Sequence, residues 1–318
     1  MARLRSAWAR RVAAAVWAAV TLLVLPGSAA WHQYRSDPGY ARSCLAVGAY
    51  VVSADPSPGP ALREFAAVDR DMGPLTVRRS FNPSLPADFQ ASAAAGDAAA
   101  GLRSFVSWKP PGLDFRGAAR GRYDEEVRAW ARSVPAGVFA TAFHEPENDM
   151  TAAEFVALHR HLYAVVTAAN PGIHWGPVYM AYWWDPAEPG HYVGDPQDWW
   201  PGEDSADFVG LDWYGSEPGP MTTSGSFLHW FEFMAPTGLP LFVVEYGQYE
   251  LRPGEVPDPA AHQARADAIR QDAAWMAAHP QVAMWLYWQG PGPTGDWAMR
   301  DEVSLRAWRE VAAAGCRP

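Results

Sequence analysis

The chain has 318 residues, of which 49% are hydrophobic, and a formal net charge of −10. This composition is sufficient for a large apolar core and excludes an intrinsically disordered protein. The acidic charge disfavours nucleic acid and anionic membrane surfaces as partners, because both are polyanions.

Residues 1–30 have the pattern of a secretory signal peptide. The segment begins with Arg3, Arg5, Arg10 and Arg11, continues with the apolar residues 12–25, and ends with small residues up to Ala30. The apolar run is shorter than the about 20 residues that a membrane-spanning helix needs. We therefore expect cleavage near Ala30, secretion of residues 31–318 as one domain, and no stable membrane insertion. An uncleaved membrane anchor is the alternative.

Eight short apolar runs, rich in β-branched and aromatic residues, recur along the rest of the chain. They are residues 45–52, 75–81, 102–108, 138–143, 173–182, 208–214, 241–245 and 282–288. Several are apolar almost throughout rather than alternating, which is typical of strands that are buried on both faces. The pattern therefore predicts a parallel sheet.

Helical patterns separate most of these runs, at residues 60–71, 124–133, 151–169, 226–235, 260–278 and 304–314. The third is the clearest, because Thr151 and Glu154 form a capping box at its start and Asn170-Pro171-Gly172 ends it. The segments after the second and fifth strands show little helical pattern. Eight strands that alternate with helices predict an α/β protein with a single (β/α)8 TIM barrel.

Cys44 and Cys316 are the two cysteines of the chain. Cys44 opens the first predicted strand, and Cys316 follows the last predicted helix, which packs beside that strand in a closed barrel. We therefore predict a disulfide between the two ends of the barrel, as befits an exported protein. The alternative is two unrelated buried thiols.

Two glutamates stand at the ends of buried strand runs. Glu145 follows the run 138–143, and Glu245 ends the run 241–245. The 100 residues between them correspond to about three strand–helix units of a barrel. Catalytic groups of such barrels project from the carboxyl ends of the strands into one cleft, and two facing carboxylates are the apparatus of glycoside hydrolysis.

The two glutamates are predicted to have different roles. Glu145 lies over an apolar strand end beside a second carboxylate, which raises its pKa and suits a general acid/base. Glu245 is predicted to be an ionised nucleophile that hydrogen-bond donors hold in place. Alternatively, Glu245 forms a structural ion pair with Arg78 or Arg79, and Arg79 could also keep the nucleophile ionised.

Two neighbouring residues are predicted to support these carboxyls. His144 is expected to orient one of them, and Tyr214 to donate its hydroxyl to Glu245 unless it is an ordinary core tyrosine. The pair His144-Glu145 resembles the start of the zinc motif H-E-x-x-H, but Asn148 occupies the position of the second histidine. We therefore predict no metal site and no cofactor.

The chain has 17 Trp and 12 Tyr, and such rings can carry the apolar faces of sugars. The candidates for this role stand near strand ends and are Tyr50, Trp108, Tyr182, Trp183, Trp184 and Trp288. Ordinary core packing is the alternative for each of them. The Pro- and Gly-rich stretches 186–202, 217–225 and 290–295 also follow strand ends and are candidate cleft loops.

The order of these motifs resembles the clan of retaining (β/α)8 glycosidases with catalytic glutamates on strands four and seven. Most members carry Asn before the acid/base, whereas His144 precedes Glu145 here, which is similar to glycoside hydrolase family 26, known mainly for β-mannanases. The resemblance implies that Glu145 is the acid/base, that Glu245 is the nucleophile, and that Tyr214 and Trp288 line the site. Aromatic residues that usually follow the His-Glu pair of family 26 mannanases are replaced here by residues 146–149.

We therefore expect a secreted, monomeric, retaining β-glycoside hydrolase that cleaves β-mannan or a related oligo- or polysaccharide. One alternative is a glycosidase of the same clan that acts on xylan, galactan or glucan. Another is a catalytically silent carbohydrate-binding barrel used in surface or exopolysaccharide handling.

Overall fold

Nine parallel strands form one sheet in the order β5-β4-β3-β2-β1-β9-β8-β7-β6. The computed structural model describes residues 44–55, 57–185, 187 and 195–316. The predicted signal peptide with its cleavage at Ala30, and part of the predicted cleft loop 186–202, lie outside these residues. The strands are β1 (Ala46–Val51), β2 (Val77–Asn82), β3 (Arg103–Trp108), β4 (Phe139–Ala142), β5 (His174–Trp175), β6 (Val178–Met180), β7 (Val209–Gly215), β8 (Leu241–Gln248) and β9 (Val282–Gln289).

The predicted fifth strand is interrupted, which accounts for the ninth strand. Gly176 and Pro177 separate β5 from β6, and Pro177 has no N–H for the ladder. β5 pairs with β4, whereas β6 pairs with β7, so the two ends of the sheet order are consecutive in the chain. The sheet thus curls round on itself, and the predicted (β/α)8 barrel is confirmed with one strand broken in two.

The helices are α1 (Pro58–Met72), α2 (Phe115–Ala119), α3 (Asp124–Ser133), α4 (Ala152–Ala169), α5 (Gly225–Met234), α6 (Pro259–Ala278) and α7 (Glu302–Ala314). The predicted capping box is present, since Thr151 accepts from the Glu154 backbone N–H while the Glu154 carboxylate accepts from that of Thr151. As the weak helical pattern indicated, the described residues after β2 and β6 form only short 3-10 turns.

The barrel interior is layered from apolar to polar. Four phenylalanines, Phe105, Phe139, Phe208 and Phe242, pack ring on ring at its amino-terminal end. Phe139 of β4 contacts Phe242 of β8 at 5.2 Å between centroids, and these strands are not neighbours, so the contact crosses the interior. The guanidinium of Arg79 lies 4.6 Å above the Phe105 ring and begins the polar layer. The polar groups at the mouth therefore rest on a close-packed layer of phenylalanine rings.

The predicted disulfide is present between Cys44, just before β1, and Cys316, just after α7. The backbone N–H of Cys316 also donates to the carbonyl of Leu45, at 2.8 Å. Both contacts tie the last helix to the first strand, where barrel closure brings them together. No helix within the described residues is long and apolar enough to span a membrane.

Candidate active site

Three carboxyl groups converge at the carboxyl ends of the strands. Glu145 follows β4, Asp212 lies in β7 and Glu245 lies in β8, and one oxygen of each lies within 4.8 Å of the others. The β7–β8 register pairs Asp212 with Glu245. Asp212 was not predicted as a site residue, although it satisfies the criterion that singled out the glutamates, because it is an ionisable carboxyl within an apolar strand run.

The backbone turns sharply to aim Glu145 across the mouth. Phe143 and Glu145 have φ angles of 58° and 54°, in the left-handed region that non-glycine residues rarely adopt. The N–H of Phe143 donates to Trp108 of β3 and that of Glu145 donates to Val178 of β6, both at 3.0 Å. Bonds to strands on both sides hold this costly conformation, and such local strain is typical of functional sites.

Glu245 is held by two donors. Tyr214 donates its hydroxyl to Oε2 at 2.7 Å, as predicted. The Nη2 of Arg79 lies 3.4 Å from Oε1 in a buried ion pair. Donors that favour the charged form of a carboxyl lower its pKa, so both contacts oppose the effect of burial on Glu245.

Arg79, not Arg78, is the arginine that reaches the site. Its Nη1 donates to the hydroxyl of Ser107 at 2.7 Å, and its guanidinium lies 4.0 Å from the centroid of the Phe81 ring. The alternation of side chains along β2 sends Arg78 to the other face of the sheet, where it pairs with Asp97. Arg79 is therefore fixed from three directions and supplies a permanent positive charge beside Glu245.

The three carboxyls differ in how readily they ionise. Burial and the nearby Glu245 carboxylate raise the pKa of Glu145 from 4.5 to about 8. Burial, followed by Glu245 and Glu145, raises the pKa of Asp212 well above its ordinary value. Burial also raises the pKa of Glu245, but Arg79 and Tyr214 oppose it. Three carboxylates beside one guanidinium would carry surplus negative charge. Because Arg79 and Tyr214 both contact Glu245, we expect this carboxyl to ionise more readily than the other two.

The contacts of His144 differ from the prediction that it orients one of the carboxyls. The described residues contain no hydrogen bond between His144 and either glutamate, and its Nδ1 is buried without a partner. Its ring lies 5.0 Å from that of Phe81. Burial, with Arg79 and Lys109 nearby, lowers the pKa of His144 well below the usual value, so the imidazole is neutral. A neutral ring at the mouth can exchange hydrogen bonds with a ligand hydroxyl.

One side of the mouth carries a surface of three aromatic rings, the aromatic floor, which is formed by Trp288, Tyr50 and Phe81. Trp288 and Tyr50 are paired across β9 and β1, and their ring centroids are 4.4 Å apart. Phe81 contacts both rings. Trp288 also lies 6.2 Å from Tyr214, which places these rings close to Glu245, the hydrogen-bond partner of Tyr214.

Three of the predicted sugar platforms are unsuited to that role because they are buried. Trp108 is 1% exposed and packs against Trp130 and Trp175. Ser107 points into the barrel, so its neighbour Trp108 must point outward to the helices. Trp183 and Trp184 are 8% and 4% exposed and belong to the core.

The donor set at the centre favours proton chemistry over metal binding. Three carboxyl oxygens within 4.8 Å of one another could in principle hold a divalent cation. However, Arg79 already places a positive charge against Glu245, and burial raises the pKa of both Glu145 and Asp212, which opposes the ionised form that a metal ligand needs. Carboxyls must be deprotonated to ligate a metal. The absence of a metal or cofactor stays a prediction.

No protein-family model matches the chain, and no curated protein matches it either. Its fold is nevertheless similar to those of solved glycosidases. The catalytic domain of the GH26 endo-β-1,4-mannanase of Bacillus sp. JAMB-750 superimposes with a TM-score of 0.55 and 16% identity, over 88% of each chain.

Two further similar structures are a galactanase and a protein solved with cellobiose. A fungal β-1,4-galactanase has a TM-score of 0.56 and 13% identity, over 85% of this chain and 100% of its own. Thermotoga maritima Cel5A, solved with cellobiose, has a TM-score of 0.54 and 12% identity, over 86% of this chain and 100% of its own. The chain therefore has the (β/α)8 fold of these glycosidases.

Proposed function

We propose that the protein is a retaining β-glycoside hydrolase. The observation that carries the proposal is the pair formed by Glu145 and Glu245, whose nearest carboxyl oxygens lie within 4.8 Å. Retaining enzymes place their two carboxyls about 5–5.5 Å apart, whereas inverting enzymes leave about 6.5–9.5 Å for a water molecule. The raised pKa of Glu145 and the two donors that contact Glu245 suit the acid and the nucleophile that retention requires.

In the first step, the Glu245 carboxylate attacks the anomeric carbon of the sugar. Glu145 donates its proton to the glycosidic oxygen as the bond between that oxygen and the anomeric carbon breaks. The leaving group departs as an alcohol, and a glycosyl ester forms on Glu245. Tyr214 and Arg79 hold the attacking oxygens in place.

In the second step, Glu145 acts as a base. Esterification removes the negative charge from Glu245, which lowers the pKa of Glu145 because its carboxylate no longer faces a like charge. Glu145 then takes a proton from water, and the water oxygen attacks the anomeric carbon. The ester bond breaks, Glu245 regains its charge, and the sugar leaves with its original anomeric configuration.

The substrate class is a β-linked oligo- or polysaccharide. The aromatic floor of Trp288 and Tyr50 supports a sugar ring beside Glu245, and neutral His144 supplies a hydrogen-bonding group. The family 26 resemblance and the structural likeness to a mannanase favour β-mannan or a related glycan, with xylan, galactan and glucan as same-clan alternatives. The leader pattern and the disulfide support secretion. The chemistry requires no cofactor.

The first test is reducing-sugar release from a panel of plant and microbial β-glycans. Glu145→Ala and Glu245→Ala should abolish release, whereas Glu250→Gln, a buried glutamate outside the carboxyl cluster, should leave it unchanged. Azide should restore cleavage of an activated glycoside by Glu245→Ala and give the product of inverted configuration. Release that persists in Glu245→Ala would refute the nucleophile assignment. A folded wild type that binds a glycan without cleaving any would favour the silent carbohydrate-binding barrel.

A further inference from the structure

We propose that Tyr182 is the platform for the leaving-group sugar, and that it is built as one unit with the acid/base loop. The inference rests on the proposed glycosidase function and deepens it, since it names the group that holds the departing half of the substrate. Tyr182 lies in the 3-10 turn Ala181–Trp184 that follows β6.

Tyr182 is the most exposed phenylalanine, tyrosine or tryptophan within the described part of the chain. Its side chain is 40% exposed, whereas the described phenylalanines, tryptophans and other tyrosines are buried or half-buried. The two tryptophans that follow it are buried, and the ring of Trp183 lies 5.9 Å from that of Tyr182. The turn is thus anchored in the core by Trp183 and Trp184 and offers Tyr182 to the surface, as a rigid sugar platform requires.

The acid/base loop, residues 143–149 after β4, is joined to the β6 segment by several hydrogen bonds. The N–H of Glu145 donates to the carbonyl of Val178, at 3.0 Å. The N–H of Met180 donates to Oε1 of Glu147, also at 3.0 Å, and Glu147 is buried. A third hydrogen bond of 3.0 Å joins Tyr182 itself to Asn148 of this loop. The segment that carries Tyr182 cannot therefore shift without moving the loop that carries Glu145.

Asn148 makes the link to the platform. The hydroxyl of Tyr182 donates to Oδ1 of Asn148, three residues after the acid/base, and Nδ2 of Asn148 lies 3.5 Å from the sulfur of Met180. A phenol fixed at its hydroxyl end loses little further freedom when a sugar packs on its ring. The geometry is therefore preorganised for binding.

The barrel topology puts Tyr182 on the side opposite the aromatic floor. Trp288 and Tyr50 lie on β9 and β1, in the middle of the strand order, while β6 lies at its end. In a sheet that curls into a barrel, those positions face each other across the mouth. Glu145 follows β4 and Glu245 lies in β8, so each stands on the barrel wall between these two positions. A chain of sugars can thus cross the mouth with one ring on each side of the reacting bond.

The position of the acid decides which side binds the leaving group. Glu145 protonates the glycosidic oxygen, which belongs to the departing sugar, so that sugar passes the loop that carries Glu145. Polar groups suited to its hydroxyls lie beside that loop, where Lys109, which follows β3, pairs with the partly exposed Asp149 of the loop at 3.2 Å. The expected ligand is the pyranose on the reducing side of the cleaved bond, with its apolar face on the Tyr182 ring.

The test compares two substrates that share the glycone and differ in the leaving group. One is the shortest oligosaccharide that the wild type cleaves, and the other is the matching 2,4-dinitrophenyl β-glycoside, which has no leaving-group sugar. Tyr182→Ala should lower kcat/KM for the oligosaccharide about 10- to 100-fold and change that for the aryl glycoside less than about twofold. Tyr182→Phe keeps the ring and should retain most of the activity on the oligosaccharide.

A second readout uses the glycosyl-enzyme. A sugar acceptor must occupy the leaving-group side to intercept this intermediate, so Tyr182→Ala should lower the ratio of transglycosylation to hydrolysis. Val303→Ala, an exposed apolar residue at the start of α7, serves as the control and should change neither readout.

Each outcome decides between the proposals. Selective loss on the oligosaccharide, with less transglycosylation, supports the platform. Equal loss on both substrates, or no loss on either, overturns it while leaving the glycosidase assignment intact. A wild type that cleaves neither substrate refutes the proposed function itself, and the leaving-group site with it.

Discussion

Electrostatic coupling between Glu145 and Glu245 should be directly measurable in the resting protein. Replacing Glu245 with Gln removes a negative charge whose nearest oxygen lies within 4.8 Å of Glu145. At an effective dielectric constant of about 20, two unit charges at that distance repel each other by about 3.5 kcal/mol, equivalent to about 2.5 pH units. The charge of each carboxylate is shared between its two oxygens, so the mean separation of the two charges exceeds that of the nearest oxygens and the repulsion is somewhat smaller than this value. We therefore expect the titration midpoint of Glu145 to fall by about two pH units.

The pKa of Glu145 should fall, not rise, in Glu245→Gln. In the wild type, ionising Glu145 places a second negative charge beside Glu245, which contributes to raising its pKa to about 8. In Glu245→Gln that repulsion is absent, so Glu145 gives up its proton more easily. The pKa of Glu145 should nevertheless stay above 4.5, because burial is the largest cause of its elevation and persists in the variant.

The assay is NMR titration of protein that carries 13C at the glutamate side-chain carboxyls, with the Glu145 signal assigned by its loss in Glu145→Gln. Glu250→Gln is the matched control, since it removes a buried glutamate outside the cluster and should leave the midpoint unchanged. A Glu145 midpoint that moves by less than about half a pH unit in Glu245→Gln would refute the coupling and the change of role between the two steps.

Four further predictions follow from the same geometry. Tyr214→Phe removes a 2.7 Å hydrogen bond to Glu245, worth about 1.5–3 kcal/mol for a charged acceptor, so kcat should fall about 10- to 150-fold. Stopped-flow should show a burst of leaving group, because hydrolysis of the glycosyl ester slows. The pKa of Glu145 is raised from 4.5 to about 8 in the folded protein, so the stability that its protonated form contributes is complete below pH 4.5 and is lost as pH rises toward 8. Glu145→Gln should therefore gain stability relative to the wild type by up to about 1.4 kcal/mol per pH unit over that range. Free energies of unfolding in urea that change in parallel with pH in both proteins would contradict this. Cys44→Ser with Cys316→Ser should lower the free energy of unfolding by about 2–5 kcal/mol without changing kcat of the folded enzyme. Dialysis against EDTA should leave kcat unchanged, and activity restored by a divalent cation alone would contradict a site that runs on proton transfer.

Much of the fold was accessible from sequence because its signals are local. Apolar runs mark the strands, and the Thr151–Glu154 capping box places the start of α4. These patterns depend on backbone hydrogen bonding and on side chains a few residues apart. The break at Gly176-Pro177 was less accessible, because the two short strands read as one continuous apolar run.

Side-chain direction separates the correct site predictions from the wrong ones. Tyr214 and Glu245 were predicted to meet, and they do so because their strands are neighbours. Trp108 stands at a strand end, as a cleft residue should, but the pleat turns it outward to the helices. The polar Ser107 beside it was the available signal that the inward positions are the odd-numbered ones.

The sequence by itself determined which residues lie at strand ends, that two of them are glutamates, and that the ends of the chain carry a pair of cysteines. It could not determine distance, because Glu145 and Glu245 are 100 residues apart and meet only when the sheet closes. Only the tertiary structure revealed that Asp212 joins them, that Arg79 rather than Arg78 supplies the charge, and that Tyr182 stays exposed while its tryptophan neighbours are buried. Those outcomes depend on which side chains of each strand point into the barrel, and on the distance between side chains on strands that are far apart in the sequence.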